Sequence, residues 1–304
     1  MMELFPNYNA GRSETPGDWA RAREAEGWHG VAASDHFLTM NLTFPHLWVA
    51  LTEMALATTS IRITSSFANN LFRSPVEFAQ AAMTLNRVAN DRFEAGLGAG
   101  WIEDEVARVG WRFPTGPERA GMYIEAMQIV RALFQTGGCR FAGKHYQIEI
   151  DAPGFAALSP VPPLLIGSAG GPRTLREIPR HVDRIEIQPN ASATRGGSVD
   201  LVKSAEIAES DVRDAVARVR RVREDLPIGI FVLVGAVARD EVEALRAPFG
   251  RGFLSRFFGE PAAVAQAIAD LEGLGFDRAQ LTEMAPGSHE RLRPLLPLRR
   301  PHRG

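Results

Sequence analysis

The chain is poor in the residue types that define several protein classes. Its single cysteine, Cys139, excludes an internal disulfide and a cysteine metal cluster. Its seven histidines form no HExxH or HxH pair, so we expect no metal site. No apolar run approaches the ~18–20 residues that a membrane-spanning helix needs. With 34 Lys and Arg against 36 Asp and Glu, we expect neither a nucleic-acid nor a membrane partner.

What remains is the composition of an ordinary globular protein, with 45% hydrophobic and 23% charged residues. A length of 304 residues is normal for one α/β barrel, so we expect a single domain over residues 1–304. The first residues lack the basic region and apolar run of a signal peptide. The sequence therefore predicts a cytoplasmic protein.

Short apolar, β-branched runs alternate with longer helical patterns along the chain. This alternation predicts βαβ units and a parallel sheet, and eight runs fit a closed (β/α)8 TIM barrel of the α/β class. The predicted strands are residues 3–8, 30–34, 61–66, 92–98, 163–167, 183–188, 228–237 and 278–282.

Two insertions interrupt this rhythm, at about residues 135–162 and 190–210. The first contains a glycine turn between two short runs and predicts a small hairpin. The second is rich in Ser, Ala and Gly and predicts an irregular loop. Long insertions after barrel strands often cover the active site.

Asp35 and His36 directly follow the second predicted strand. Residues at the carboxyl ends of barrel strands line the active face. A histidine there is suited to proton transfer near neutral pH, and an adjacent carboxylate can tune it. Side chains alternate along a strand, so Asp35 is equally suited to orienting the loop. The spacing alone leaves a structural and a catalytic role for His36 equally open.

Glycine turns follow the fourth and fifth predicted strands. Gly98 and Gly100 allow a ligand to approach the backbone, although tight turning explains them as well. Residues 168–171 precede a helix, where exposed amides and the hydroxyl of Ser168 suit a phosphate, while a simple turn is equally possible. Residues 103–105, Glu-Asp-Glu, are interpreted as compensation of the helix dipole.

Together these motifs resemble the bacterial luciferase-like superfamily, most closely its coenzyme F420-dependent oxidoreductase branch. The resemblance covers about residues 27–187 and returns near residues 258–282. It rests on five segments in this order: residues 34–37, 72–75, 90–101, 143–146 and 162–172.

The resemblance implies a TIM barrel with insertions at its C-terminal face, a homodimer, and a flavin or deazaflavin at the mouth. His36 matches the family histidine beside the reactive ring, and Asp35 is the second catalytic candidate. Met40 and Trp101 would form an apolar substrate wall. Family members often have a non-proline cis peptide where this chain has Ser66 and Phe67. The implied cofactor-binding residues are Ser66, Phe67, Ala68, Asn69, Gly98, Gly100, Ser168, Ala169, Gly170, Gly171 and Gln188.

Three positions depart from the family pattern. Trp101 stands where some F420-linked sugar-phosphate dehydrogenases carry a catalytic Glu, and Met40 stands where they carry a Trp. Sugar-phosphate chemistry is therefore not expected. Arg184 replaces a glycine near the expected cofactor phosphate, which predicts a changed phosphate contact or a rotated loop.

The expected function is hydride transfer between coenzyme F420 and a small organic substrate, with His36 acting as acid or base. The cofactor would supply the difficult chemistry while the protein orients it. An FMN-dependent monooxygenase that uses O2 is the alternative. A second alternative is a non-catalytic flavin-binding protein or partner subunit, to which Arg184 and the irregular segment 190–210 lend weight.

Overall fold

The structure, a computed structural model, describes residues 1–39, 42–158 and 164–299. Within these residues, eight parallel strands close into a barrel in which each strand pairs with the next and the last pairs with the first. The strands are β1 (Glu3–Tyr8), β2 (Gly30–Ala33), β3 (Arg62–Ser65), β4 (Phe93–Gly98), β5 (Leu164–Ala169), β6 (Arg184–Ile187), β7 (Ile228–Ala236) and β8 (Arg278–Glu283).

The predicted (β/α)8 barrel is confirmed, and so is every predicted strand, because each observed end lies within two residues of its expected position. Pro163 falls outside the described residues. The strands were recognisable because both of their faces are covered, which produces apolar runs rather than alternation.

Helices surround the barrel. The side chains of Thr15, Ser74 and Thr115 each cap a helix by accepting a hydrogen bond from a backbone amide of its first turn. Each of these three helices also has a proline at its first or second position. No helix in the described part of the chain has the length and apolarity that crossing a membrane requires. The helices described are α1 (Pro16–Ala25), α2 (Leu47–Ala57), α3 (Pro75–Val88), α4 (Glu103–Arg108), α5 (Gly116–Thr136), α6 (Pro172–Glu177), α7 (Ala191–Thr194), α8 (Leu201–Glu206), α9 (Glu209–Val222), α10 (Val242–Arg246), α11 (Pro261–Ala269) and α12 (Ser288–Leu292).

A hairpin occupies the first insertion, as predicted, whereas helices occupy the second. The hairpin of the first is confirmed by antiparallel strands Cys139–Ala142 and Gln147–Ile150. The prediction of an irregular loop at 190–210 is wrong, because α7, α8 and the start of α9 occupy it. Asp200 caps α8 by accepting from the Lys203 amide at 3.0 Å, and Ile207 is buried beside it. Capping and burial outweigh a composition that favours loops.

Charged side chains fill the amino-terminal end of the barrel interior. We call Glu3, Arg62, Glu94 and Arg278 the floor cluster. The guanidinium of Arg278 lies 2.5 Å from Glu94 and 2.9 Å from Glu3, while Arg62 lies 2.6 Å from Glu3. Arg278 also lies 4.0 Å above the ring of Phe5. Each of these charges therefore faces an opposite charge inside the barrel.

Arg184 joins this end of the barrel. It is the first residue of β6, pairs with Asp277 and lies 3.9 Å from Glu3. The expectation that Arg184 lies near a cofactor phosphate is therefore wrong, because the strand carries it to the end opposite the active face.

Candidate active site

His36 lies just beyond the carboxyl end of β2, with its side chain 18% exposed. Its Nδ1 atom is 3.0 Å from Oε2 of Glu105, a fully buried residue in the first turn of α4. The other carboxylate oxygen accepts from the backbone amides of Phe37 and Leu38. No third side chain of a metal-binding type joins this pair within the described residues. One carboxylate thus holds both the imidazole and the loop that follows it.

Glu105 is the residue that sequence reasoning missed. Glu103 and Asp104 are exposed, as carboxylates that compensate a helix dipole should be, but Glu105 is buried, so that interpretation is wrong for Glu105. A signal was present in the sequence. Glu105 lies three residues after Ile102 and one before Val106, and both of these side chains are buried. An acidic residue on the apolar face of a helix points to a buried partner.

Aromatic side chains surround His36. The ring centroid of Phe44 lies 5.0 Å from that of the imidazole, and the ring centroid of Trp101 lies 6.5 Å away in an edge-to-face arrangement. Nearby, Phe37 stacks on Phe72 at 4.1 Å. Trp101 thus lies beside His36, and its part in an apolar substrate wall stays a prediction, whereas Met40 lies outside the described residues.

Asp35 faces a different set of partners. Its Oδ2 accepts from the backbone amide of Asn69 at 2.6 Å and from Arg73 at 2.5 Å, and its Oδ1 accepts from Arg73 at 3.3 Å. Ala68 and Asn69 pair in turn with the end of β4. Asp35 thus ties the end of β2 to the segment after β3. These contacts favour a role for Asp35 in positioning the segment after β3, and a catalytic role for Asp35 stays a prediction.

Three strand ends approach closely around Gly98. A Cβ atom at Gly98 would lie 3.2 Å from Cβ of Phe67 and 3.7 Å from Cβ of Ser168. The Ser66–Phe67 peptide bond is cis, as the resemblance implies. Gly100 has a φ of 77°, in the left-handed region that favours glycine. The expected residues after β3, β4 and β5 are therefore brought together.

The turn after β5 also meets the end of β6. Gln188 donates its backbone amide to the carbonyl of Ala169 at 2.8 Å, and a Cβ atom at Gly170 would collide with the Gln188 carbonyl. Gly171 precedes the first residue of α6. The turn expected to bind phosphate, residues 168–171, thus packs against Gln188, and phosphate binding there stays a prediction.

Several buried polar atoms at the mouth, meaning the carboxyl ends of the eight strands, lack protein partners. Asn7 donates to Ser34 at 2.7 Å and to Thr282 at 2.8 Å. In the described part of the chain, however, its Oδ1 atom, the Ser66 hydroxyl and Nε2 of Gln188 have no hydrogen-bond partner. Each unmatched buried group costs about 1–3 kcal/mol. Amide and hydroxyl groups of this kind pair with the polar edges of a flat ring system, so the chemistry of these residues fits a flavin-like cofactor.

The sequence of this chain is similar to that of known proteins. The luciferase-like monooxygenase family profile matches residues 6–257. An F420-dependent glucose-6-phosphate dehydrogenase of Amycolatopsis mediterranei is 31% identical over 159 residues, 51% of this chain and 47% of that protein. A pyrimidine monooxygenase of Acinetobacter baylyi is 32% identical over 123 residues, 40% of this chain and 32% of that protein. The matches thus span about half of the dehydrogenase and about a third of the monooxygenase.

Two solved structures share the fold at low sequence identity. An F420-dependent secondary alcohol dehydrogenase in complex with an F420–acetone adduct has a TM-score of 0.73 at 16% identity, covering 98% of this chain and 99% of that chain. A monooxygenase from Streptomyces bottropensis has a TM-score of 0.72 at 15% identity, covering 97% and 96%. At such identities the likeness establishes the barrel fold alone.

Proposed function

Because this chain belongs to the luciferase-like monooxygenase family, as its motifs predict, we propose that it is an F420-dependent oxidoreductase. It transfers a hydride between the deazaflavin and a small organic substrate. The observation that carries the proposal is the state of His36. Nδ1 is held by a buried carboxylate, while Nε2 has no hydrogen-bond partner among the described residues. A hydride transfer that makes or consumes a carbonyl also moves a proton, which we assign to Nε2.

The cofactor would bind at the mouth. When bound, the deazaflavin supplies the two-electron chemistry, because it carries a hydride that no side chain can carry. We assign its ring to residues 66–69 and Gly98, and its phosphate to residues 168–171. Two unmatched buried atoms, the Ser66 hydroxyl and Nε2 of Gln188, support this assignment. These residues would bind and orient the cofactor and exclude water from it.

The substrate proposed is small and uncharged. Phe44 and Trp101 flank His36, and the guanidinium of Arg73 on the neighbouring loop is already paired with Asp35. Trp101 stands where the resemblance places a catalytic Glu in sugar-phosphate dehydrogenases, so the sugar-phosphate activity in the name of one relative is not part of this proposal.

An FMN-dependent monooxygenase is the second candidate. The observation that favours it is the 32% identity to a pyrimidine monooxygenase over 40% of this chain. Both reactions need a flat ring system at the mouth and a histidine beside it. The two candidates therefore differ in the cofactor rather than in the residues that would hold it.

Affinity for the two cofactors separates these candidates. Protein freed of small molecules is titrated with F420 and, separately, with FMN, and binding is followed by fluorescence. We expect F420 to bind at least tenfold more tightly, about 1.4 kcal/mol. Tight FMN binding without detectable F420 binding would overturn the cofactor assignment. Binding of neither cofactor would favour a non-catalytic or partner subunit.

Replacement of His36 tests the chemistry. We expect His36→Ala to lower turnover by about 10²–10⁴-fold, the usual contribution of a general acid or base. Its cofactor affinity should change little, because His36 is assigned to the proton rather than to the ring. Asp104→Asn, an exposed change on the neighbouring helix, is the control. Unchanged turnover in His36→Ala would remove His36 from the mechanism.

Three further properties belong to the same proposal. We propose that residues 1–304 form one domain, that the protein acts as a homodimer, and that it is cytoplasmic. Sedimentation analysis of the purified chain would test the dimer, and a monomer that retains full turnover would contradict it.

A further inference from the structure

The burial of Glu105 needs an explanation that the other acidic residues of its turn do not. Glu103 and Asp104 remain in water, whereas no part of Glu105 is exposed. Removing a carboxylate from water is costly unless hydrogen bonds or an opposite charge compensate it. Within the described residues, no Arg or Lys forms an ion pair with Glu105. The compensation must therefore come from the three groups that contact it.

Those groups favour the ionised carboxylate. Two backbone amides, from Phe37 and Leu38, donate to one oxygen, and hydrogen bonds of this kind stabilise the charged form. An ionised carboxylate only accepts hydrogen bonds. The contact of 3.0 Å between its other oxygen and Nδ1 of His36 therefore requires a hydrogen on Nδ1. A neutral imidazole with its hydrogen on Nδ1 has its lone pair on Nε2.

We propose that Glu105 is a positioning residue that keeps the hydrogen of His36 on Nδ1 and so makes Nε2 the proton acceptor. With the deazaflavin bound to accept the hydride of the hydroxyl-bearing carbon, Nε2 would take the hydroxyl proton, and the substrate would become a carbonyl compound. The reverse reaction would return the hydride and the proton to the substrate. In either direction, the carboxylate stabilises the imidazolium that carries the transferred proton. The catalytic part of this inference rests on the proposed function, whereas the position of the hydrogen does not.

Neighbouring side chains support the same orientation. The ring centroids of Phe44 and Trp101 lie 5.0 Å and 6.5 Å from that of the imidazole, and neither ring carries a charge. The adjacent carboxylate, Asp35, accepts from Asn69 and Arg73 instead. Glu105 is thus the charged group that faces the ring among the described residues.

Glu105→Gln separates the two tasks of this side chain. The glutamine oxygen can still accept from Phe37 and Leu38, so the loop keeps its anchor. Its amide group, however, presents a donor to Nδ1, which forces the hydrogen of the imidazole onto Nε2. Asp104→Asn makes a similar change of charge one residue earlier, on the exposed side of α4.

Nitrogen NMR of the imidazole, on the purified protein with and without F420, reads the position of the hydrogen directly. We expect Nδ1–H in the original protein and in Asp104→Asn, and Nε2–H in Glu105→Gln. Nε2–H in the original protein would overturn the proposal without any variant, so the test stands even if Glu105→Gln fails to fold. Nδ1–H in Glu105→Gln would overturn it as well, because the carboxylate would then be merely structural.

Kinetics test the consequence. We expect Glu105→Gln to lower kcat by about 10²-fold or more, since the acceptor nitrogen is lost, while the Kd for F420 and the thermal midpoint change little. A parallel loss of cofactor affinity and stability at unchanged kcat would overturn the positioning role. A moved hydrogen with unchanged kcat would support the positioning of His36 and instead contradict the proton transfer in the proposed function.

Discussion

The two ends of the barrel treat buried polar groups in opposite ways. In the floor cluster, Glu3, Arg62, Glu94 and Arg278 compensate one another at 2.5–3.3 Å. At the mouth, the Ser66 hydroxyl and other atoms remain unmatched. An unmatched group reduces stability, whereas a matched pair is roughly neutral. The floor charges are therefore compensated mainly by the chain itself, whereas under the proposed function a bound cofactor would compensate the polar groups of the mouth.

Removing a charge from the floor should produce the largest effect. In Arg278→Met, Glu94 loses its closest partner and Glu3 loses one of three cationic partners, so we expect a loss of about 3–5 kcal/mol in the free energy of unfolding. Denaturant titration measures it. Arg140→Met, which breaks the exposed pair with Asp151 in the hairpin, is the control and should leave the midpoint nearly unchanged. A stable Arg278→Met protein would show that the floor cluster is not matched as described.

Glu186 lies between the two ends of the barrel, and its titration should make the stability of the protein depend on pH. It is fully buried, 3.9 Å from Arg278, and burial raises the pKa of its carboxyl from 4.5 to about 7. The folded state therefore binds this proton more tightly than the unfolded state. The resulting stability is fully present below about pH 4.5 and is lost as pH rises to about 7, in total about 3 kcal/mol.

Glu186→Gln removes this titration. We expect the free energy of unfolding of the original protein, relative to that of Glu186→Gln, to fall between pH 4.5 and 7 and then to level off. Denaturant titrations of both proteins across this range measure the difference. A constant difference between the two proteins would place the carboxyl in water, against its complete burial.

Asp35 tests whether the mouth separates positioning from catalysis. Asp35→Asn should cost about 2 kcal/mol, because the hydrogen bonds to Arg73 lose their charge assistance. Weaker cofactor binding should accompany this loss, while turnover at saturating cofactor stays close to the original. Glu77→Gln, which changes the more exposed partner of Arg73, is the control. A collapse of turnover with intact cofactor affinity would instead make Asp35 a catalytic residue.

The same contrast explains what could be predicted from the sequence. The barrel was predictable because apolar runs, the Ser74 cap and its proline act locally, within a few residues. The mouth was only partly predictable. His36 and the glycine turns lie at strand ends, but the contact between His36 and Glu105 joins residues 69 positions apart. The floor cluster was missed for the same reason, since Glu94 and Arg278 pair across 184 positions of the chain.

The smallest expected effect concerns the link between the first insertion and the mouth. Tyr146, in the hairpin of residues 139–150, accepts a hydrogen bond from the buried side chain of Asn70 at 3.1 Å. Tyr146→Phe removes that acceptor and should cost about 1 kcal/mol, measured by thermal unfolding. Asn70 adjoins Asn69, which Asp35 holds, so F420 affinity should fall slightly as well. If stability falls while F420 affinity stays unchanged, the hairpin supports the barrel without shaping the mouth.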